Sequence, residues 1–389
     1  MGHTSYIWMH PEWPALSYDS ATLSKPMAQA TLTLGRLLGR ISTFSGDDRE
    51  RVALEALTSE VIKTSAIEGE KLNHDAVRSS LARRLGVDIG ALAPADRHVE
   101  GVVALTLDAT GNAASPLTRE RLLAWQAALF PTGRSGLHPV KAGQWRDDAS
   151  GPMQVVSGPH GRQKVHFQAP PADGLSGQVA RFVEWFEHDR TDQPVIKAGL
   201  AHFWFVTLHP FEDGNGRVSR ALGDMLLSRF DQQPLRYYSV SAQIQQDRKT
   251  YYDILERTQK GGLDVTQWLL WFLDCLTRAA ERSEQELDRV LTKATFWQRF
   301  AGVALSPRQV QALNRLMDEG FEGKLNNRKW AVMTKTSADT ALRDIRALVA
   351  AGVLVPTEQG GRSTSYWIAG IPRKQEEASG SGNAAQEPR

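Results

Sequence analysis

The chain has 389 residues, more than one ordinary domain and enough for two or three. It is 41% hydrophobic and 23% charged, so it can bury a sizeable core. Its net charge of +2 demands neither nucleic acid nor an anionic membrane as partner. The single cysteine, Cys275, excludes an internal disulfide and a cysteine-built zinc site, and fits a reducing compartment.

Residues 1–13 carry Trp8, Pro11 and Trp13 but neither a basic start nor an apolar run, so they do not read as a secretory signal. No apolar stretch approaches the ~20 residues that span a bilayer. The expectation is a cytoplasmic protein with no membrane partner.

Helical spacing of Leu32, Leu34, Leu37, Leu38 and Ile41 predicts a helix over 21–44. Val52, Leu54, Leu57, Val61 and Ile62 predict another over 47–67, with Asp47 or Asp48 as N-cap and Gly69 as stop. Further helices are expected over 75–85 and 94–110. After Thr118, Leu122, Leu123, Trp125 and Leu129 mark one more. From 143 to 171 the helical period is lost. Two β-like runs, 153–156 and 164–167, flank turn formers at 157–161 and predict a hairpin that Pro170 and Pro171 end. Helices resume over 176–188, 194–208, 216–230, 247–258 and 266 to about 294. Cys275 falls in the apolar pattern of the last and reads as a buried, inert thiol.

The C-terminal part predicts helices over 307–319, 326–333 and 337–351, with Ser337 as cap and Gly352 as stop. Two strands, 353–355 and 363–368, follow. Helix, turn, helix and hairpin form a winged-helix pattern. Residues 373–389 are rich in Ser, Gly, Gln, Glu and Ala and read as a disordered tail. The expected fold class is mainly α, with a hairpin in the central part. The expected regions are 1–112, 113–296, 297–370 and 371–389.

The chemistry concentrates in the run from His209 to Arg220 (HPFEDGNGRVSR). Pro210 disfavours a helical conformation at His209, so the preceding helix must stop there. Gly214 and Gly216, split by Asn215, let the backbone turn its N–H groups inward at the start of a new helix. That is an anion hole suited to phosphate. Arg217 and Arg220 lie three residues apart on one helix face and can each grip a phosphate oxygen bidentately. Asp213 at the mouth can hold Mg²⁺, which takes one or two carboxylates and fills its shell with phosphate and water. His209 can accept a proton from a hydroxyl near neutral pH. The reading is a nucleotide-phosphate site with its own base, in an enzyme that transfers part of a nucleotide.

This run resembles the Fic (Fic/Doc) signature, His-x-Phe-x-Asp/Glu-Gly-Asn-Gly-Arg-x-x-Arg, at every defined position. The resemblance extends over roughly 119–276, and places a Fic catalytic domain in the region 113–296. It implies transfer of AMP from ATP to a Ser, Thr or Tyr hydroxyl of a target protein, which can be the enzyme itself. It implies His209 as general base, Phe211 as the loop's core anchor and Asp213 as the Mg²⁺ ligand. Gly214, Asn215 and Gly216 would cradle the α- and β-phosphates, and Arg217 and Arg220 the β- and γ-phosphates. The hairpin 153–167 sits where the family has its flap, expected to clamp a target strand. Val165, His166 and Phe167 either wall the nucleotide or belong to an ordinary surface hairpin. Tyr251 and Tyr252, followed by Leu255 and Gln259, resemble the adenine-side segment, with base contact and a core role both open.

Thr64 to Gly69 (TSAIEG) resembles the family's inhibitory motif, Ser/Thr-x-x-x-Glu-Gly/Asn. The resemblance implies that Glu68 pairs with Arg220 and denies it to the γ-phosphate. Arg328, Lys329, Lys335, Arg343, Arg346 and Arg362 make the C-terminal module basic, which suits either DNA or a docking or dimer role. Family members of this class often dimerise, so a homodimer is an expectation. The competing functions are AMP removal or another Fic phosphoryl or nucleotidyl transfer, and a DNA-binding regulator with a vestigial core. An intact signature argues against the last.

Overall fold

The computed structural model describes residues 6–89, 93–158, 162–190, 193–317, 325–357 and 364–370. The expected turn residues 159–161, the helix end at 318–319, the wing tip with Arg362 and the tail 371–389 lie outside the described residues. The fold is mainly α, with three two-stranded antiparallel sheets among the described residues. The chain divides into two compact units, Met1–Gln285 and Glu286–Arg389.

In the first unit, a 3-10 turn at Ile7–Met9 precedes α1 (Ser20–Ser42), α2 (Gly46–Ile67), α3 (His74–Leu85), α4 (Arg97–Gly111) and α5 (Arg119–Leu129). The α2 N-cap is Ser45, two or three residues earlier than the aspartates expected. Its Oγ accepts from the Asp48 N–H at 3.2 Å. Asp47 and Asp48 instead occupy the first turn, where their charge meets the positive helix end. Two short strands that the sequence pattern did not announce, β1 (Arg134–Ser135) and β2 (His138–Pro139), come next.

The expected hairpin forms as β3 (Gln154–Ser157) and β4 (Lys164–Gln168), with Val155 opposite Phe167 and a register shift after Val155. Phe167 is buried with Tyr6 and Ala169. The Trp8 indole donates to the Gln168 carbonyl at 2.7 Å, which ties the hairpin's base to the N-terminal segment.

The core is built by α6 (Leu175–His188), α7 (Pro194–Leu208) and α8 (Asn215–Asp231), followed by a short helix α9 (Val240–Gln246), by α10 (Arg248–Gln259) and by α11 (Thr266–Arg299). Pro194 opens α7 where its missing N–H costs nothing. Every residue of α7 from Val195 to Leu208 is buried, so the helix ends with His209 placed inside the unit. Cys275 is buried, and desolvation holds its thiol pKa well above the usual range. Among the described residues no helix is long and apolar enough to cross a membrane.

The second unit holds α12 (Pro307–Met317), α13 (Asn327–Thr334), α14 (Ala338–Ala350), β5 (Leu354–Pro356) and β6 (Tyr366–Ile368), with β5 and β6 antiparallel. Its core gathers Leu313, Trp330, Ile345, Leu348 and Val353. Phe296 and Phe300, one helical turn apart, join that core, which is why α11 runs beyond its expected end near 294 to Arg299. Arg308 grips the Asp344 carboxylate bidentately at 2.9 and 2.7 Å.

Candidate active site

The loop from His209 to Asp213 joins α7 to α8 and is held from several sides. His209 caps α7 in the left-handed region, with φ +48°. Phe211 is fully buried, and its ring lies 4.8 Å from that of Trp145. Asn215 turns back on the loop: its Oδ1 accepts from the Phe211 N–H at 2.9 Å and its Nδ2 donates to the Phe211 carbonyl at 2.8 Å. The Asn215 side chain therefore braces the loop, and any phosphate contact at this position falls to its backbone N–H. Glu212 accepts from the Lys141 N–H at 2.9 Å, and the Gln126 side chain reaches the Asp213 carbonyl at 3.5 Å.

The His209 ring has one defined partner. Its Nδ1 lies 3.2 Å from the Val206 carbonyl, which can only accept, so Nδ1 carries the proton and Nε2 bears the lone pair. The ring keeps partial access to solvent, yet close packing lowers its pKa. Desolvation is the main cause and the Arg146 charge adds to it, against the opposing pull of Val206, Glu68 and Asp213. A neutral imidazole with a free Nε2 is the form that accepts a proton.

Helix α8 begins without a side-chain cap. Its N-cap is Gly214, at φ +90°. The first N–H groups of the helix are thus open to an anion. Arg217 and Arg220 rise from the first two turns and are 1% and 3% exposed. Arg217 Nε and Arg220 Nη1 are buried and have no hydrogen-bond partner among the described residues. Buried donors of this kind are expensive to leave unmade, and a bound phosphate would satisfy them.

An acid already stands at this position. Thr64 on α2 and Glu68, the residue that caps its C-terminal end, face α8 together. Arg220 donates from Nε to Thr64 Oγ1 at 2.7 Å, and from Nη2 to the Thr64 carbonyl at 2.9 Å and Glu68 Oε1 at 2.7 Å. Gly216 makes the approach feasible: a Cβ there would lie 2.1 Å from Glu68 Oε1. The carboxylate thus lies against the open end of α8, where a phosphate oxygen would go.

Gly69, at φ +87°, ends α2 and turns the chain so that a second acid reaches the site. Glu70 Oε2 accepts from Arg217 Nη1 at 2.7 Å and meets His98 Nε2 at 3.0 Å. Burial would raise the Glu70 pKa, but His98 and Arg217 outweigh it and lower it. The Glu70 hydrogen bond raises the His98 pKa in turn. The sequence reading missed Glu70; the readable signal was two acids split by a glycine, matching two arginines three apart.

The remaining expected residues divide. Tyr251 is 1% exposed, and its hydroxyl lies 3.0 Å from His202 Nε2. Gln259 is buried and donates to Thr207 Oγ1 at 3.2 Å. Tyr252 is partly buried and donates to the Ile67 carbonyl at 3.3 Å. Val165 is exposed on β4. His166 Nδ1 and Nε2 lie 2.5 Å from Glu256 and 2.5 Å from Ser157, so this side chain links the hairpin to α10. Burial would raise the Glu256 pKa, but hydrogen bonds from Lys260 and His166 overcome it and bring it to about 2. Asp213 keeps much of its side chain in solvent. Among the described residues no group of three or more His, Cys, Asp or Glu side chains forms a metal site by itself.

Comparison with known proteins agrees with this geometry. Residues 116–227 match the Fic/DOC family, and residues 6–87 match a domain of unknown function, DUF4172. The chain is 29% identical over 235 residues to the protein adenylyltransferase Fic of Drosophila ananassae, covering 59% of this chain and 42% of that protein. It is 29% identical over 239 residues to the protein of the same name from Culex quinquefasciatus, covering 60% of this chain and 42% of that protein. The chain thus spans less than half the length of these relatives. A Fic family protein from Desulfovibrio desulfuricans shares the fold, with TM-score 0.55 and 18% identity over 93% of this chain and 100% of that one. Residues 116–227 thus resemble the Fic/DOC family, and the chain is similar to known Fic adenylyltransferases over about 60% of its length.

Proposed function

We propose that this chain transfers AMP from Mg-ATP to a protein hydroxyl and that the segment 64–70 holds it in check. The observation that supports it most is the open N-terminus of α8, flanked by two buried arginines with unsatisfied donors and occupied by the Glu68 carboxylate. Arg217 and Arg220 would hold the outer phosphates, and the backbone of Gly214, Asn215 and Gly216 the inner ones. Asp213 fits Mg²⁺ as its single carboxylate, the remaining ligands being phosphate and water. When bound, Mg²⁺ neutralises phosphate charge as pyrophosphate departs. His209 Nε2 takes the proton of a Ser, Thr or Tyr hydroxyl while that oxygen attacks the α-phosphorus. Glu68 on Arg220 and Glu70 on Arg217 then act alike: each supplies a negative charge to an arginine meant for phosphate.

The test is incubation of the Glu68→Gly protein with ATP and Mg²⁺ in lysate, followed by mass spectrometry. The reading expects an added AMP that His209→Ala abolishes. An added phosphate, or loss of AMP from a pre-modified protein, would assign a different Fic chemistry. A second, independent role is proposed for the C-terminal unit. Arg343 and Arg346, three apart on α14, are exposed, as are Arg328 and Lys335, and these cations are proposed to meet DNA phosphates. A mobility shift with random fragments that weakens steeply with salt would support it. Salt-insensitive or absent binding leaves docking or dimerisation as the module's role.

A further inference from the structure

Arg146 lies in the loop before β3 and is 3% exposed. An arginine is rarely buried so fully without a dense set of acceptors. Here it has them, and they belong to three different segments. Its Nε donates to the His209 carbonyl at 2.7 Å. Its backbone N–H donates to the Pro210 carbonyl at 3.0 Å. One terminal nitrogen donates to the Pro170 carbonyl at 2.5 Å, just after β4, and the other to Asp148 Oδ1 at 2.8 Å. Asp148 in turn accepts from the Ala172 N–H at 2.7 Å. Trp145, the preceding residue, packs on Phe211.

We infer that Arg146 is a positioning residue that locks the exit of the β3–β4 hairpin to the backbone of His209, so that the base and the flap over the target are set by one guanidinium. The inference rests on the transfer reading above. Its physical ground is the strained geometry at His209. A non-glycine residue at φ +48° needs outside support, and the carbonyl of that residue is the one Arg146 holds. The second effect is electrostatic. The buried guanidinium opposes a positive charge on the His209 ring, whose other charged neighbours are Glu68 from the end of α2 and Asp213 on its own loop, both of which favour protonation. Arg146 therefore helps to keep the imidazole neutral, the form the reaction uses.

The experiment compares Arg146→Met, Arg146→Lys and Asp148→Asn, each combined with Glu68→Gly. For Arg146→Met the expectation is a fall in kcat of about 10²-fold with little change in the KM for ATP, the scale of a small misplacement of a reacting group. The acid limb of its pH–rate profile should move to higher pH. Arg146→Lys should restore the acid limb while recovering only part of kcat, because it keeps the charge but not the fork of donors. Asp148→Asn should move the limb the other way, since it leaves the Arg146 charge less compensated. The His209 imidazole is also titrated by NMR in each variant, which needs no transfer activity. If Glu68→Gly transfers nothing, the functional reading fails, and the NMR titration still decides the charge effect. Unmoved His209 titrations in all three variants, or a loss of kcat that follows thermal stability and KM together, would overturn the inference.

Discussion

Glu70 offers the sharpest test of the proposal that the segment 64–70 holds the site in check. Arg217 and Arg220 each spend one charge-assisted hydrogen bond on an acid, at 2.7 Å in both cases. A hydrogen bond to a charged group contributes about 1.5–3 kcal/mol, against about 0.5–1.5 kcal/mol for a neutral one. Glu68→Gly removes a charged bond outright, so nucleotide access and auto-modification should rise ~10–100-fold. Glu70→Gln keeps the shape and an acceptor but removes the charge. With the Glu70 side chain 29% exposed, the loss is at the lower end, about 1 kcal/mol, or roughly fivefold. The double variant should exceed Glu68→Gly by about that factor. The assay is calorimetric binding of ATP together with incorporation of labelled AMP. If Glu70→Gln in the Glu68→Gly background leaves both unchanged, Glu70 is a bystander. If it weakens ATP binding, Glu70 instead orients Arg217 for phosphate, and the reasoning of two parallel acids is wrong.

Gly216→Ala tests the shared seat. Its Cβ would collide with Glu68 Oε1, so Arg220 should lose that partner, yet ATP binding should fall rather than rise because the same methyl crowds the phosphate. An activated Gly216→Ala enzyme would refute a common position for carboxylate and phosphate. His202 sets a pH limit on stability. Burial, with the Arg220 charge adding, lowers its pKa to about 3 from 6.5. The stabilisation is full above the unfolded value of 6.5 and is lost progressively as pH falls towards about 3. At pH 5 the loss is about 2 kcal/mol. Denaturant unfolding of wild type and His202→Gln should diverge in slope between pH 7 and pH 5, and parallel slopes would remove His202 as the cause. His209 predicts a transfer rate that rises from acid pH and is level through neutrality, since its lowered pKa keeps it basic there. A rate still climbing above pH 8 would assign the acid limb to another group.

The helices and the loop from His209 to Arg220 were legible because each rests on local signals. Apolar spacing marks α1, α2 and α7, a proline opens α7, and glycines frame the turn into α8. What stayed hidden depends on distant partners. Arg146 reads in sequence as one more loop cation, and only the folded chain shows that three carbonyls and a carboxylate converge on it. Tyr251 reads equally as core or as base contact, and His202 with its neighbouring tryptophans packs it inside. The short helix α9 has too few turns to show a period, and its Ser239 cap was the remaining cue. The strands β1 and β2 have two residues each, below any readable alternation.

The missing side chain at Gly216 has a kinetic consequence. Because it admits the Glu68 carboxylate to the open end of α8, the proposed inhibitor would be a ligand tethered to its own receptor, at an effective concentration in the millimolar range or above. Soluble nucleotide would compete with it on unequal terms. On that proposal turnover would be governed by how often the last turn of α2 lifts away, and a partner that grips that turn would set the pace without touching ATP.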